Sequence, residues 1–215
     1  MRKGIALGAF LLAASFAVAE PERVSLGFLD SFAPLEGNYQ LVSVSGVATN
    51  IANTYETFGA RVFLDFTYGE ASVAYKAPIT QFNTTATASG ISLSQAISFS
   101  MSVVDIRLVG KYPFHTGFLT LFPLFGVAGD FCLSGNSNGT DFTNDDKRNL
   151  SPWWIVAGVG GDFAITQGLF ARIELTGAYD VTSKYAASFY NNSNYSYSNS
   201  SGWEVEIAAG IGFTI

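Results

Sequence analysis

The sequence predicts an all-β chain, folded as a closed antiparallel up-and-down transmembrane β-barrel of about eight strands, with short turns at one end and long loops at the other. Three observations predict it. Apolar and polar side chains alternate along about eight segments, and wherever charges occur they share one face. Only 13% of the 215 residues are charged while 48% are apolar, against about 25% charged in an ordinary soluble domain. The connections between the alternating segments are short and long in turn.

The opening "MRKGIALGAFLLAASFAVAE" carries Arg2 and Lys3, then an uncharged apolar run, then Ala17-Val18-Ala19 in the small-x-small order that a signal peptidase accepts. It is read as a signal peptide over residues 1–19. Export then leaves a barrel domain over 20–215, or 215 − 19 = 196 residues. The only cysteine, Cys132, lies far from the apolar run, so no lipid-modified cysteine follows the signal. A single cysteine also rules out an internal disulfide and a cysteine-based metal cluster. Beyond the signal no apolar stretch is long enough for a spanning helix, which needs about 20 residues.

Each expected strand has an apolar and a wet side. "RVSLGF", up to Phe28, is the first and a weaker copy. In "FGARVFLDFTY", Phe58, Ala60, Val62, Leu64, Phe66 and Tyr68 oppose Arg61, Phe63, Asp65 and Thr67. "EASVAYKA" at 70–77 follows. In "VDIRLVGKY", Val104, Ile106, Leu108 and Tyr112 oppose Asp105, Arg107 and Lys111. "FLTLFPLFGVAGD" at 118–130 contains Pro123, which removes a ladder donor and predicts a bend or bulge there. In "WWIVAGVGGDFAI", Trp153, Ile155, Val159, Phe163 and Ile165 oppose Gly158, Gly160 and Asp162. "GLFARIELTGAY" sets Leu169, Ala171, Ile173, Leu175 and Tyr179 against Phe170, Arg172, Glu174 and Thr176. The final "WEVEIAAGIGFTI" alternates from Trp203 to Ile215 around Glu204 and Glu206. That it runs to its end as a good strand fits a sheet whose last strand closes on its first, since an open edge in lipid would leave unpaired N–H and C=O groups.

Tight turns are expected at Tyr68-Gly69, in "PFHTG" at 113–117 and in "TQG" at 166–168. Long loops rich in Asn, Ser, Thr and Gly are expected over about 33–56, 78–95, 131–151 and 181–201. This order places both termini in the periplasm and the long loops outside the cell.

A soluble barrel would carry its charges outward and its apolar side chains inward. In a bilayer, Arg61, Arg107 and Arg172 turned to lipid would cost about 2–4 kcal/mol each near the midplane. The expected lumen therefore holds Arg61, Asp65, Asp105, Arg107, Lys111, Asp162, Arg172, Glu174, Glu204 and Glu206. These can form a compensated, hydrogen-bonded plug, or line a narrow polar path.

"PLFGVAG" at 123–129, "VGGDFAITQGLFARIEL" at 159–175 and "AAGIGFTI" at 208–215 resemble the second half of small outer-membrane β-barrels of the OmpW, OmpX and OmpA transmembrane-domain type, with OmpW-like proteins nearest in length and loop plan. The resemblance spans about Pro123 to Ile215. It implies an outer-membrane protein surrounded by lipid and delivered by the barrel-assembly machinery, which reads the C-terminal strand. Where these families usually end on Phe, this chain has Ile215, with Phe213 two residues earlier. OmpW-like proteins imply passive passage of small, apolar solutes through a narrow channel. The reading of a different class is a non-conducting barrel that serves as adhesin or anchor through its loops, with a host surface ligand as partner.

Enzymatic barrels of this size resemble the chain too, and their hydrolytic chemistry has a histidine activate a serine near the outer leaflet. The sole histidine, His115, falls in the short "PFHTG" turn at the opposite end, so no catalysis is expected. No cofactor is expected either. "DFTNDDK" at 141–147 lacks the ligand spacing of a calcium loop. The net charge of −6, without a cluster of Lys and Arg, excludes a nucleic-acid partner. In the loop "SFYNNSNYSYSNSSG", Tyr190, Tyr195 and Tyr197 are the candidate surface-binding residues, being rigid amphipathic side chains among adaptable polar ones. Asn-x-Ser/Thr triplets begin at Asn83, Asn138, Asn149, Asn191, Asn194 and Asn199 and follow from loop composition.

Overall fold

The computed structural model describes residues 23–43, 48–88, 91–95, 99–182 and 195–215. The expected signal peptide and Tyr190 lie outside the described residues.

Eight long strands form the wall: β1 (Val24–Ser43), β2 (Ala48–Phe66), β3 (Gly69–Ala88), β5 (Phe99–Lys111), β7 (Leu119–Ser137), β9 (Trp153–Ala164), β10 (Leu169–Asp180) and β11 (Tyr195–Thr214). Three short strands, β4 (Ile91–Gln95), β6 (Phe114–Thr116) and β8 (Thr140–Asp141), attach to their ends, and one helical turn and a half, α1 (Asn144–Asn149), lies in the connection after β8. Each wall strand pairs antiparallel with the next, and β11 pairs with β1 from Ser25↔Thr214 upward. The ring is closed, so the eight long strands leave no edge among themselves.

The phase of the alternation is the one that lipid requires. Glu204, Glu206 and Ala208 are 4%, 1% and 1% exposed, while Val205 and Ile207 between them are 39% and 56% exposed. Leu64, Val73, Leu108, Val127, Ile155 and Ile173 repeat the outward pattern around the cylinder. On β9 this band runs ten residue steps, from Trp153 to Phe163. At about 3.3 Å per residue and about 40° of tilt it is about 25 Å tall, the height of a transmembrane barrel's apolar belt. Aromatic rings border it. At the short-turn end Tyr68 stacks near Tyr112 and Tyr112 near Phe114, with centroids 6.2 and 5.1 Å apart. At the other end Phe131 meets Trp153 at 6.3 Å, and Tyr179 lies across from Trp203. Tyrosine and tryptophan favour such a boundary because one end of each ring system is polar.

The strands continue well past this belt where loops were expected. β1 and β2 are paired up to Val42↔Ala48, β3 reaches Ala88 and pairs with β4, β7 reaches Ser137, and β11 begins at Tyr195. Asn, Ser and Thr favour loops, but a hairpin standing in water needs no apolar face and keeps its ladder with polar residues. Tyr195 and Tyr197 are accordingly strand residues, paired with Ser43 and Leu41, and not loop residues.

The acidic stretch at 141–147 is likewise more ordered than a solvated loop. Thr143 caps α1 by accepting from the Asp146 backbone N–H at 3.2 Å, and the Asp146 carboxylate accepts in return from the Thr143 N–H at 2.9 Å. This reciprocal capping is encoded by a hydroxyl residue three positions before an acid. "PFHTG" contains β6, which folds back on the start of β7. Pro123 makes no bulge, since it stays in register with Val159. Its carbonyl accepts from the Tyr112 N–H at 3.3 Å. A strand residue's N–H and C=O point the same way, so the missing donor faces the side where the β5 ladder has just ended. The register shifts instead between Ser102 and Val103, and between Lys76 and Ile79 where Ala77-Pro78 interrupts β3.

Candidate functional site

The candidate site is the lumen. Near the short-turn end, β10 points Arg172 across the barrel, fully buried. Its Nε and Nη2 donate to the two oxygens of Asp162 at 2.7 and 2.8 Å, Nη1 donates to Glu70 at 2.6 Å, and Nη2 donates to Asp65 at 2.6 Å. The fork geometry of guanidinium suits this many acceptors, where a point-charge lysine would not. Three rings surround the same group, with the Phe63, Phe122 and Phe170 centroids 4.4, 4.9 and 5.3 Å from Cζ.

Local sequence explains how three rings fit into so narrow a tube. Phe63 lies directly across from Gly27, Phe122 from Gly160 and Phe170 from Gly212 on the neighbouring strands. A Cβ on any of these glycines would collide with the facing ring. Each missing side chain thus lets a ring lie flat against the wall, and the rings together form a cage around the cation.

From this cage a ladder of alternating charge climbs the lumen. Glu174 lies 3.6 Å from Arg172 and 3.4 Å from Arg61. Arg61 donates to Glu206, which also accepts from Arg107 at 3.3 Å. Lys76 holds Glu204 at 2.8 Å and stands 3.7 Å from Glu206. Asp105 lies 3.8 Å from Arg107, and Lys111 pairs with Asp65 at the lower end. Buried charges persist when they are paired and hydrogen-bonded in this way. Asp130, across from Asp105, accepts from Trp154 Nε1 at 2.9 Å.

Above the ladder the lumen turns apolar. Tyr55, Ile79, Phe99, Met101, Val103 and Trp154 are buried there, joined by Leu150 from the end of α1. Phe142, from the same connection, packs on Phe99 at 5.5 Å. The chain between β7 and β9 therefore covers the long-loop mouth with two of its own side chains. A cavity of about 340 Å³ opens at the short-turn mouth, and one of about 290 Å³ lies by Pro78 and Ser134 at the other end. The two share no lining residue.

This architecture has counterparts among solved structures. The chain is similar to small outer-membrane β-barrel proteins. OprG from Pseudomonas aeruginosa shares 10% identity at a TM-score of 0.48, over 89% of this chain and 95% of that one. Neisserial surface protein A shares 10% at 0.44, over 86% and 96%, and Ail of Yersinia pestis shares 11% at 0.37, over 90% and 97%. No protein-family model matches the chain, and no curated protein does.

All ten side chains expected in the lumen point there, and they are brought together as one connected network. The alternation had not singled out Glu70, Lys76 and Asp130 among the lumen charges. Glu70 opens a strand directly after a turn, and Lys76 precedes the Ala77-Pro78 irregularity, so neither sits in a long clean alternation. Asp130 stands at what was expected to be the end of its strand. A count of two-residue steps from Ser72 would have found Glu70 and Lys76. His115 is exposed at the short-turn end, its Nδ1 2.9 Å from Thr120 Oγ1.

Proposed function

We propose that this protein is an integral outer-membrane β-barrel of a diderm bacterium, sealed against solute flow, that serves as a membrane anchor for the polar strands and connections at its long-loop end. One observation carries the sealed reading: Arg61, Arg172, Tyr55, Phe63, Lys76 and Phe122 are each fully buried inside the tube. An eight-stranded barrel is just wide enough for side chains to fill it. Opening a path would separate the ladder's paired charges, which link strands around the lumen. In this reading the termini and the short turns face the periplasm, and the hairpins beyond the aromatic border face outward. Around β3, β4 and β5 their chemistry is hydroxyl and amide, for residues 80–104 carry no charged side chain.

The test is a planar bilayer measurement on purified protein whose folding is verified by heat-modifiable migration on a gel. The sealed barrel gives no discrete conductance steps. Reproducible steps that scale with the amount of protein would replace this reading by the narrow-channel one. An epitope placed after Asn138 is expected to be labelled on intact cells, and labelling only after permeabilisation would reverse the orientation.

A further inference from the structure

We propose that the cavity at the short-turn mouth is a binding site for a small organic anion with an apolar body. At about 340 Å³ the cavity is of ligand size. It is lined by Arg23, Lys111, Thr120, Phe66, Phe122 and the acids Asp65 and Asp162, among others. Its chemistry follows from which hydrogen-bonding groups are already engaged. Both oxygens of Asp162 accept from Arg172, one oxygen of Asp65 accepts from Arg172, and the other is paired with Lys111. Each acid already faces a cation of the wall, so an incoming ammonium would have to displace Arg172 or Lys111.

The cations, in contrast, keep donors to spare. A guanidinium has five N–H groups, and among the described residues Arg23 directs only Nε and Nη2 inward, both to the Thr214 hydroxyl, at 3.0 and 2.7 Å. An ammonium has three, and Lys111 has one acid partner and the face of Phe122 at 4.6 Å. Unspent positive donors beside the ring of Phe122 suit a carboxylate carried on an apolar group. This inference stands whether or not the lumen above is sealed, because the cavity opens at the mouth below the Arg172 cage.

Calorimetric titration of the full, folded chain in detergent with benzoate, benzylamine and benzyl alcohol tests it. Benzoate is expected to bind saturably and the other two not. Arg23→Gln removes an exposed side chain and leaves the fold intact, and it is expected to weaken benzoate binding about tenfold, the loss of one charge-assisted hydrogen bond. Thr120→Trp fills the cavity and is expected to abolish binding. Should that variant not fold, Arg23→Gln alone decides. Equal uptake of the three probes, which is partition into the micelle and not a site, no benzoate binding by the folded wild type, or binding unchanged in Arg23→Gln would each overturn the proposal.

Discussion

Replacing Arg172 by Met tests the energetics of the lumen most sharply. Methionine fills much of the space between Phe63, Phe122 and Phe170, so the change is chiefly one of charge. It leaves Asp65, Glu70 and Asp162 with Lys111 as the remaining cation paired to any of them. Removing one partner of a buried pair costs about 3–5 kcal/mol. One guanidinium here serves three carboxylates within 2.8 Å, which places the loss at the upper end, and the lost ring contacts add about 1 kcal/mol. A total of about 6 kcal/mol is between four and five powers of ten in the folding equilibrium, at about 1.4 kcal/mol each. Urea-induced unfolding in phospholipid vesicles, followed by tryptophan fluorescence, reads this directly. The sign of the second step is the decisive part: adding Asp162→Asn and then Glu70→Gln to Arg172→Met removes uncompensated charge and is expected to restore stability in stages. A cost below about 1 kcal/mol for Arg172→Met, or a further loss on adding Asp162→Asn, would refute the reasoning.

Two further predictions concern the wall. Ile173→Arg places a cation on the lipid face one residue from Arg172 and is expected to cost about 2–4 kcal/mol in the same unfolding assay. A neutral result would mean that Ile173 does not face hydrocarbon. Gly160→Val drives a side chain into the Phe122 ring and is expected to open the cage around Arg172, seen as a loss of stability larger than that of Gly168→Val at a turn, where the nearest facing atom is 3.8 Å away. Equal effects at the two positions would deny the ring-over-glycine packing.

The period of the apolar residues made most of the wall legible, because a bilayer forces every lipid-facing position to obey it. β10 and β11 alternate without a break, so the inward positions of Arg172, Glu174, Glu204 and Glu206 followed from counting by twos. The hairpins beyond the belt were illegible for the same reason: with water on both sides nothing constrains which face is apolar, and residues 80–88 read as loop although they are strand. The partners within the lumen could not be read either. Alternation fixes a residue's face, but Arg172 of β10 meets Glu70 of β3 on the opposite wall, and that distance depends on closure, tilt and stagger together. The three cross-strand glycine and phenylalanine pairs show the same limit, since each needs the register between two strands.

The central claim is the orientation of the two faces in a membrane, and spin labelling along β10 measures it. In a Cys132→Ser background, single cysteines at 173, 175, 176 and 178 would carry nitroxides, whose relaxation by oxygen, enriched in hydrocarbon, and by a water-soluble nickel complex is compared in vesicles. Labels at 173 and 175 are expected to be open to oxygen and shielded from nickel, while those at 176 and 178 are shielded from both. An inverted phase, or nickel access at 173 and 175, would contradict a barrel that turns its apolar wall to lipid.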